Sequence, residues 1–84
     1  MYNYETEKSN VLAEENQKQF LQARDIVSKL PSLFMMEDVL NKTSGSSWLV
    51  MAYVDRLAEL GEIREIKQHG EVPGQHRVFK KLKL

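Results

Sequence analysis

The sequence predicts a small α+β domain in which three helices precede a C-terminal β-hairpin. Apolar residues recur at three- and four-residue spacing over residues 9–29 and again over 46–60, which is typical of helices with one buried face. After Gly61 this period gives way to short β-compatible stretches separated by turn-forming residues. A chain of 84 residues provides one domain with one modest core.

The first predicted helix covers residues 9–29. Its inward stripe, apolar apart from Asn16, consists of Ala13, Asn16, Phe20, Ala23, Val27 and Leu30, widened by Ile26. Ser9 or Asn10 is the expected N-cap, and Pro31 ends the helix near Lys29 because the residue before a proline avoids the helical region. Residues 1–8 are expected either to be flexible or to extend this helix, so the predicted domain covers residues 9–84.

Two further helices are predicted after a strand fragment at 32–35. The second is short, covers 36–42 and turns Val39 and Leu40 inward; a polar turn follows at 43–46. The third covers 46–60, with Ser46 as its N-cap and Gly61 as the residue after its C-cap. We expect the inward stripes of the three helices to form the core with Phe20, Ile26, Val27, Val39, Val50, Val54 and Leu57.

The C-terminal quarter is predicted to be a hairpin with a long loop. Residues 62–68 and 76–84 have strand-like composition, and the intervening segment is rich in turn formers. Charge is also unevenly distributed, although the net charge is zero. Residues 1–61 carry six basic and nine acidic groups, net −3, whereas residues 62–84 carry six basic and three acidic groups, net +3. The hairpin is therefore a mildly basic element on a mildly acidic body.

Several classes of function are disfavoured by composition. Without cysteine there is no disulfide framework, thiolate zinc site or thiol catalysis. No apolar run approaches the ~20 residues of a membrane span and no signal peptide is evident, so we expect a cytoplasmic protein without membrane contact. His69 and His76 have only Glu71 near them, which predicts no metal site. No catalytic motif and no cofactor motif is present, so we expect no enzyme activity and no cofactor.

The third helix and its flanks carry a more specific pattern. Val50, Val54, Leu57, Gly61 and Ile63 follow one another at characteristic spacings, Val39 precedes Val50 by eleven residues, and Ser46 precedes it by four. In these positions the chain resembles the winged helix-turn-helix family, from about residue 16 to residue 83. The resemblance implies a three-helix bundle with a β-hairpin wing. It also implies a non-enzymatic, double-stranded DNA-binding protein, a small transcriptional regulator. From its size alone, we expect the compact kind encoded by bacteria, phages or mobile elements.

The resemblance also implies which residues contact DNA. The third helix (46–60) would enter the major groove and present Ser47, Trp48, Met51, Ala52 and Asp55. Ser44 and Ser46 would donate to phosphate, and Arg56 would reach a phosphate beside them. The wing (67–77) would contact the backbone through Lys67, Gln68, His69, Gln75, His76 and Arg77.

The residues themselves leave other functions open. The expected groove face contains no arginine, lysine, asparagine or glutamine, the side chains that most often recognise base edges. A domain without net charge also lacks the usual basic character of DNA-binding domains. An alternative is a winged-helix adaptor that binds a protein partner through an exposed surface at Trp48 and Met51. A homodimer through the first helix is a further hypothesis.

Overall fold

The structure is a computed structural model that describes residues 1–70 and 72–84. Within these residues it is a compact α+β domain with four helices and one three-stranded antiparallel sheet. The helices are α1 (Tyr4–Leu12), α2 (Gln17–Lys29), α3 (Met36–Leu40) and α4 (Ser47–Glu59); the strands are β1 (Leu33–Met35), β2 (Ile63–Ile66) and β3 (Val78–Lys81). Single 3₁₀ turns lie at Glu14–Asn16 and Gly74–His76. The predicted α+β class is confirmed, and the predicted number of helices is one too few.

The predicted helix over 9–29 is divided into α1 and α2. Ala13 is extended, with φ −61° and ψ 136°, so the two helices are not collinear. The side chains of Asn16 and Gln17 donate to the carbonyls of Asn10 and Val11, at 2.8 and 2.9 Å, and thereby satisfy the end of α1. The expectation of a single helix is wrong because the three- and four-residue spacing happens to continue across this break.

The expected N-caps Ser9 and Asn10 lie inside α1, so this expectation is also wrong. The helix starts earlier because Asn3 caps it: its side chain accepts from the backbone N–H groups of Glu5 and Thr6. Glu5 and Glu7 in the first turn add a favourable interaction with the helix dipole. Tyr4 to Lys8 therefore belong to α1.

The strand order in the sheet is β1-β3-β2. β3 is central, and its residue Phe79 pairs with Phe34 of β1 and with Glu65 of β2. The two phenylalanine rings stack with centroids 5.6 Å apart and are buried against the helices. One face of the sheet thus closes the core, and the other faces away from the helices.

The core sits between that sheet face and α4. It contains most of the predicted stripe together with residues from the strands, namely Val27, Phe34, Met36, Val39, Val50, Met51, Val54, Leu57, Ile63 and Phe79. Phe20 is only partly buried against this core, and Ile26 is partly exposed on the outer side of α2. A smaller cluster of Val11, Ala23, Ala52 and Tyr53 joins α1, α2 and α4.

Both ends of α4 lie within one residue of the predicted bounds, 46 and 60. Gly61 has φ +77°, and the N–H groups of Gly61 and Glu62 donate to the carbonyls of Ala58 and Leu57, both at 3.0 Å. This is a Schellman ending, which requires a left-handed residue that glycine adopts without steric cost. Ser46 occupies the N-cap position, but its side chain makes no capping hydrogen bond there.

Candidate nucleic-acid interface and the adjoining cleft

The turn before α4 and the first residues of α4 face solvent. The exposed residues are Ser44, Ser46, Ser47 and Trp48, the last with 45% of its surface accessible. The amide of Gln19 on α2 donates to the Ser44 carbonyl at 3.0 Å. Gly45 has φ +104°, and a Cβ there would lie 2.9 Å from the Gln19 amide nitrogen. Local backbone geometry and α2 therefore fix this polar turn.

The middle of α4 does not face solvent. Met51 is only 8% exposed and Ala52 is fully buried, so the expectation that both face outward is wrong. The cause is α1, which packs along this side of α4 and buries Val11 in one cluster with Ala52 and Tyr53. Met51 joins the main core instead. The resemblance could not reveal this cover because α1 precedes the region that it spans.

Polar contacts hold α1 on α4. The Tyr4 hydroxyl and the Lys8 ammonium both donate to the Glu59 carboxylate, at 2.8 and 2.7 Å. The Tyr2 hydroxyl, just before α1, donates to Asp55. The acidic side of α4 is thus occupied by donors from the chain's own N-terminal segment.

These contacts change the acidity of the groups involved. Hydrogen bonds from Lys8, Arg56 and Tyr4 lower the pKa of Glu59 to about 2. Burial and the hydrogen bond to Glu59 raise the pKa of Tyr4 to about 12. Burial and the hydrogen bond to Asp55 also raise the pKa of Tyr2 well above its usual value. The contact is therefore strongest when both phenols are protonated and Glu59 is ionised.

Arg77, a predicted wing contact, is held within the domain. Its guanidinium donates to Asp55 at 2.7 Å and to Glu65 at 2.8 Å, and it lies 5.2 Å from the centroid of the Phe79 ring. The hydrogen bond to Glu65, followed by that to Asp55, raises the pKa of Arg77 further. Arg77 therefore joins the base of the wing to α4 and has its charge already neutralised.

Arg56, the other arginine predicted to reach phosphate, is also paired. It donates to Glu59 at 2.6 Å, one turn further along α4. Asp55 is partly buried beneath Tyr2 and Arg77. The structure thus brings Asp55, Arg56 and Arg77 together as an internal network around α1 and α4.

The remaining predicted wing residues are exposed: Lys67, Gln68, His69, Gln75 and His76. The Gln68 amide donates to the His76 carbonyl at 3.1 Å and so joins the two sides of the loop. Glu71, which lies within the predicted wing 67–77 and near both histidines in sequence, is outside the described residues.

A cleft of about 680 Å³ connects the start of α4 with the wing. Its lining is mostly apolar and consists of Met1, Tyr2, Leu40, Ser47, Trp48, Met51, Val72, Gly74, Gln75 and Arg77. Trp48 is exposed at this site, and a Cβ on Gly74 would lie 3.3 Å from the Met51 sulfur. The predicted residues Trp48 and Met51 therefore share one apolar cleft with the wing.

Sequence reasoning missed the N-terminal residues of this region. Tyr2, Tyr4 and Lys8 fell in a segment that was expected to be flexible or simply to extend a helix. A signal was present: Asn3 followed by acidic residues at positions 5 and 7 is a typical helix start. Nothing local indicates that this helix packs on α4, more than forty residues away.

The hypothesis of a dimer through the first helix concerns a different surface. Leu12 at the end of α1 and Leu21 on α2 are both exposed. The opposite side of α1 is already occupied by α4. A dimer through this segment would therefore use these leucines.

No family model, curated protein or solved structure was found to match the chain. Among residues 1–70 and 72–84, no helix is long and apolar enough to cross a membrane. In the same residues, no group of three or more histidine, aspartate and glutamate side chains is arranged to hold a metal ion.

Proposed function

We propose that the domain is a winged helix preceded by one additional helix. The order α2, β1, α3, α4, β2, β3 with the sheet order β1-β3-β2 places a helix pair and a hairpin around one core. In this interpretation α4 is the third helix of the winged-helix core, the β2–β3 loop is the wing, and α1 is the addition.

The proposed function is weak, non-enzymatic binding of double-stranded DNA, as in a small transcriptional regulator. One observation supports it most: the exposed first turn of α4 and the wing lie on the same side of the domain, because Ser47 and Trp48 line one cleft with Gly74 and Gln75. In helix-turn-helix proteins the N-terminal residues of the recognition helix are those that contact base edges. The serines before α4 supply hydroxyl donors for phosphate.

The mode of binding differs from the one that the resemblance implies. The middle of α4 is covered by α1, and Asp55 and Glu59 carry negative charge there. Arg56 and Arg77 are neutralised by carboxylates. Contact with DNA is therefore proposed for Ser44, Ser46, Ser47 and Trp48 and for Lys67, Gln68, His69, Gln75 and His76.

Titration of a fluorescent random duplex by anisotropy tests this proposal. Lys67 is the one lysine or arginine among the proposed contacts, so the logarithm of the association constant should fall with the logarithm of salt concentration with a slope of about −1. The variant Lys67→Ala/Gln75→Ala should weaken binding several-fold and lower the slope by about one. The control Lys18→Ala/Lys42→Ala changes exposed residues on α2 and after α3 and should have a smaller effect. Equal effects of the two variants, or no binding at about 50 mM salt, would reject the proposal.

A protein-binding adaptor is the second candidate function, favoured by the cleft itself. A half-exposed tryptophan beside Met51 and Leu40 in an apolar depression is typical of a site that accepts a side chain of a partner. Trp48 is the only tryptophan, so its emission reports on the cleft directly. Ready quenching by acrylamide, together with unchanged duplex binding in Trp48→Ala, would favour the adaptor. A shielded indole, or loss of duplex binding in Trp48→Ala, would count against it.

A further inference from the structure

The sheet has a second face, directed away from the helices, which we call the outer sheet face. Along β3, Phe79 is buried in the core and Lys81 reaches the end of α2, where its ammonium donates to the carbonyls of Leu30 and Ser28 at 2.6 and 3.0 Å. Because side chains alternate along a strand, Val78 and Lys80 project from the opposite face.

The strand registers extend these two residues into two rows. Lys80 pairs with Leu33 of β1 and with Arg64 of β2. Val78 pairs likewise with Met35 and Ile66. Residues directly paired across strands share a face, so the outer sheet face carries one row with two adjacent cations and a leucine, and one row that is entirely apolar.

The apolar part of this face is accessible to different degrees. Met35, Ile66 and Val78 are only partly buried and belong to neither core cluster. Leu33 is 59% exposed, and Leu82, which follows Lys80 by two residues, is 51% exposed. Four of these side chains are neighbours across the three strands, and Leu82 lies beyond Lys80. Together they give this face accessible apolar surface, which is typical of an interaction site.

The basic side chains of this face are not paired with carboxylates of the described residues. Arg64 and Lys80 are exposed, stand directly opposite each other and take part in none of the ion pairs among the described residues. Like charges in this position disfavour the pairing of the strands. The acid next to Arg64 in sequence, Glu65, faces the other side and is bonded to Arg77. Two cations beside an apolar row match a partner that is acidic and apolar.

We propose that the outer sheet face binds an acidic amphipathic helix of a partner protein, with the helix lying across the strands. Cβ atoms of directly paired residues such as Arg64 and Lys80 are about 5 Å apart. Carboxylates three or four residues apart on a helix have Cβ atoms about 5–6 Å apart and so can reach both cations. The apolar row lies about 6.6 Å away along the strands, within reach of the adjoining apolar stripe of the same helix.

The proposed contact is small and therefore weak. Three strands of three or four residues offer much less area than the ~800 Å² per partner of a stable complex. We expect a transient complex whose affinity falls with salt, since two charge pairs at its rim would be screened. This site adjoins the base of the wing, because Ile66 directly precedes Lys67 and Val78 directly follows Arg77, but it does not depend on DNA binding.

Amide NMR spectra of the full chain with a designed peptide test the proposal. The probe is a helical peptide of about 18 residues with leucine on one stripe and glutamate at three- and four-residue spacing beside it. Shifts should concentrate in β1, β2 and β3. The variant Arg64→Glu/Lys80→Glu should weaken binding at least tenfold, while its Tm stays close to that of the parent because both positions are exposed.

The matched control is Lys18→Glu/Lys42→Glu, which changes the net charge equally on the helical side and should weaken binding less than threefold. A peptide with lysine in place of glutamate should not bind. The proposal is overturned if shifts fall on the Trp48 cleft or if both variants lose affinity equally. It is also overturned if no shifts appear at millimolar peptide, or if random duplex, but not peptide, shifts these strands.

Discussion

The surroundings of Arg77 and of Arg64, both on the β2–β3 hairpin, show two different uses of a cation. Arg77 lies between Asp55 and Glu65 over an aromatic ring and joins the wing base to α4. Arg64 stands exposed, opposite a lysine and beside apolar side chains. The +3 charge of residues 62–84 is therefore not a single binding surface: Arg77 and Lys81 bind groups within the domain, whereas cations such as Arg64 and Lys80 remain accessible.

Substitutions on the two faces of β3 should likewise differ in their effect on stability. Phe79→Ala removes a fully buried ring from the core and should lower the free energy of unfolding by about 3–5 kcal/mol. Val78→Ala on the outer sheet face should lower it by less than about 1 kcal/mol, because that side chain is already partly exposed. Urea unfolding followed by circular dichroism measures both. Similar losses for the two variants would mean that the outer sheet face is covered.

Removal of Arg77 should lower the free energy of unfolding more than removal of Arg64. Arg77→Ala leaves Asp55 and Glu65 without their partner in a partly buried network and should cost about 1–3 kcal/mol, less than for a fully buried pair. Arg64→Ala should change stability by less than about 0.5 kcal/mol. Thermal and urea unfolding of the two variants provide the measurement. Equal stability of both would show that Arg77 is not structurally engaged.

Alkaline pH should loosen α1. The pKa of Tyr4 is raised to about 12 and that of Tyr2 is raised as well, so the stabilisation is complete below the usual value of 10 and is lost as pH rises from 10 towards 12. Phenolate absorbance and circular dichroism should change together in this range. In Tyr2→Phe/Tyr4→Phe the loss of α1 structure should no longer follow phenolate formation. Titration of both phenols near 10 would contradict the proposed contacts.

Acidic pH should weaken the contact between α1 and α4 by protonating its acceptor, Glu59. We expect this to be the smallest of the effects on stability. The pKa of Glu59 is lowered to about 2, so its stabilisation is present above the usual value of 4.5 and is lost as pH falls towards 2. Glu59→Gln should remove this part of the pH dependence and increase amide exchange in α1. If Glu59 titrates near 4.5 in NMR spectra, its bonds to Lys8 and Tyr4 do not persist in solution.

The sequence predicted what depends on local periodicity. The stripe through Val50, Val54 and Leu57 located α4, and Gly61 located its end. The hairpin followed from its turn formers and strand-like flanks. These features are local because each is determined by neighbours within a few residues.

The candidate site was less predictable because its accessibility depends on distant contacts. Ser47 and Trp48 are exposed as expected, whereas Ala52 is buried by a helix from the other end of the chain. The pairing of Arg77 with Asp55 joins residues 22 positions apart, and no pattern in either segment specifies it. A charge tally treats Arg77 and Arg64 alike, and only the packing distinguishes them.

Helix α1 closes the middle of α4, which leaves the first turn of α4 and the wing as the proposed surface for DNA. Amide NMR spectra with a random duplex at about 50 mM salt test this most directly. We expect shifts over residues 43–48 and in the wing, with Val11, Ala52 and Glu59 unchanged. Shifts along the middle of α4, with release of α1, would contradict it.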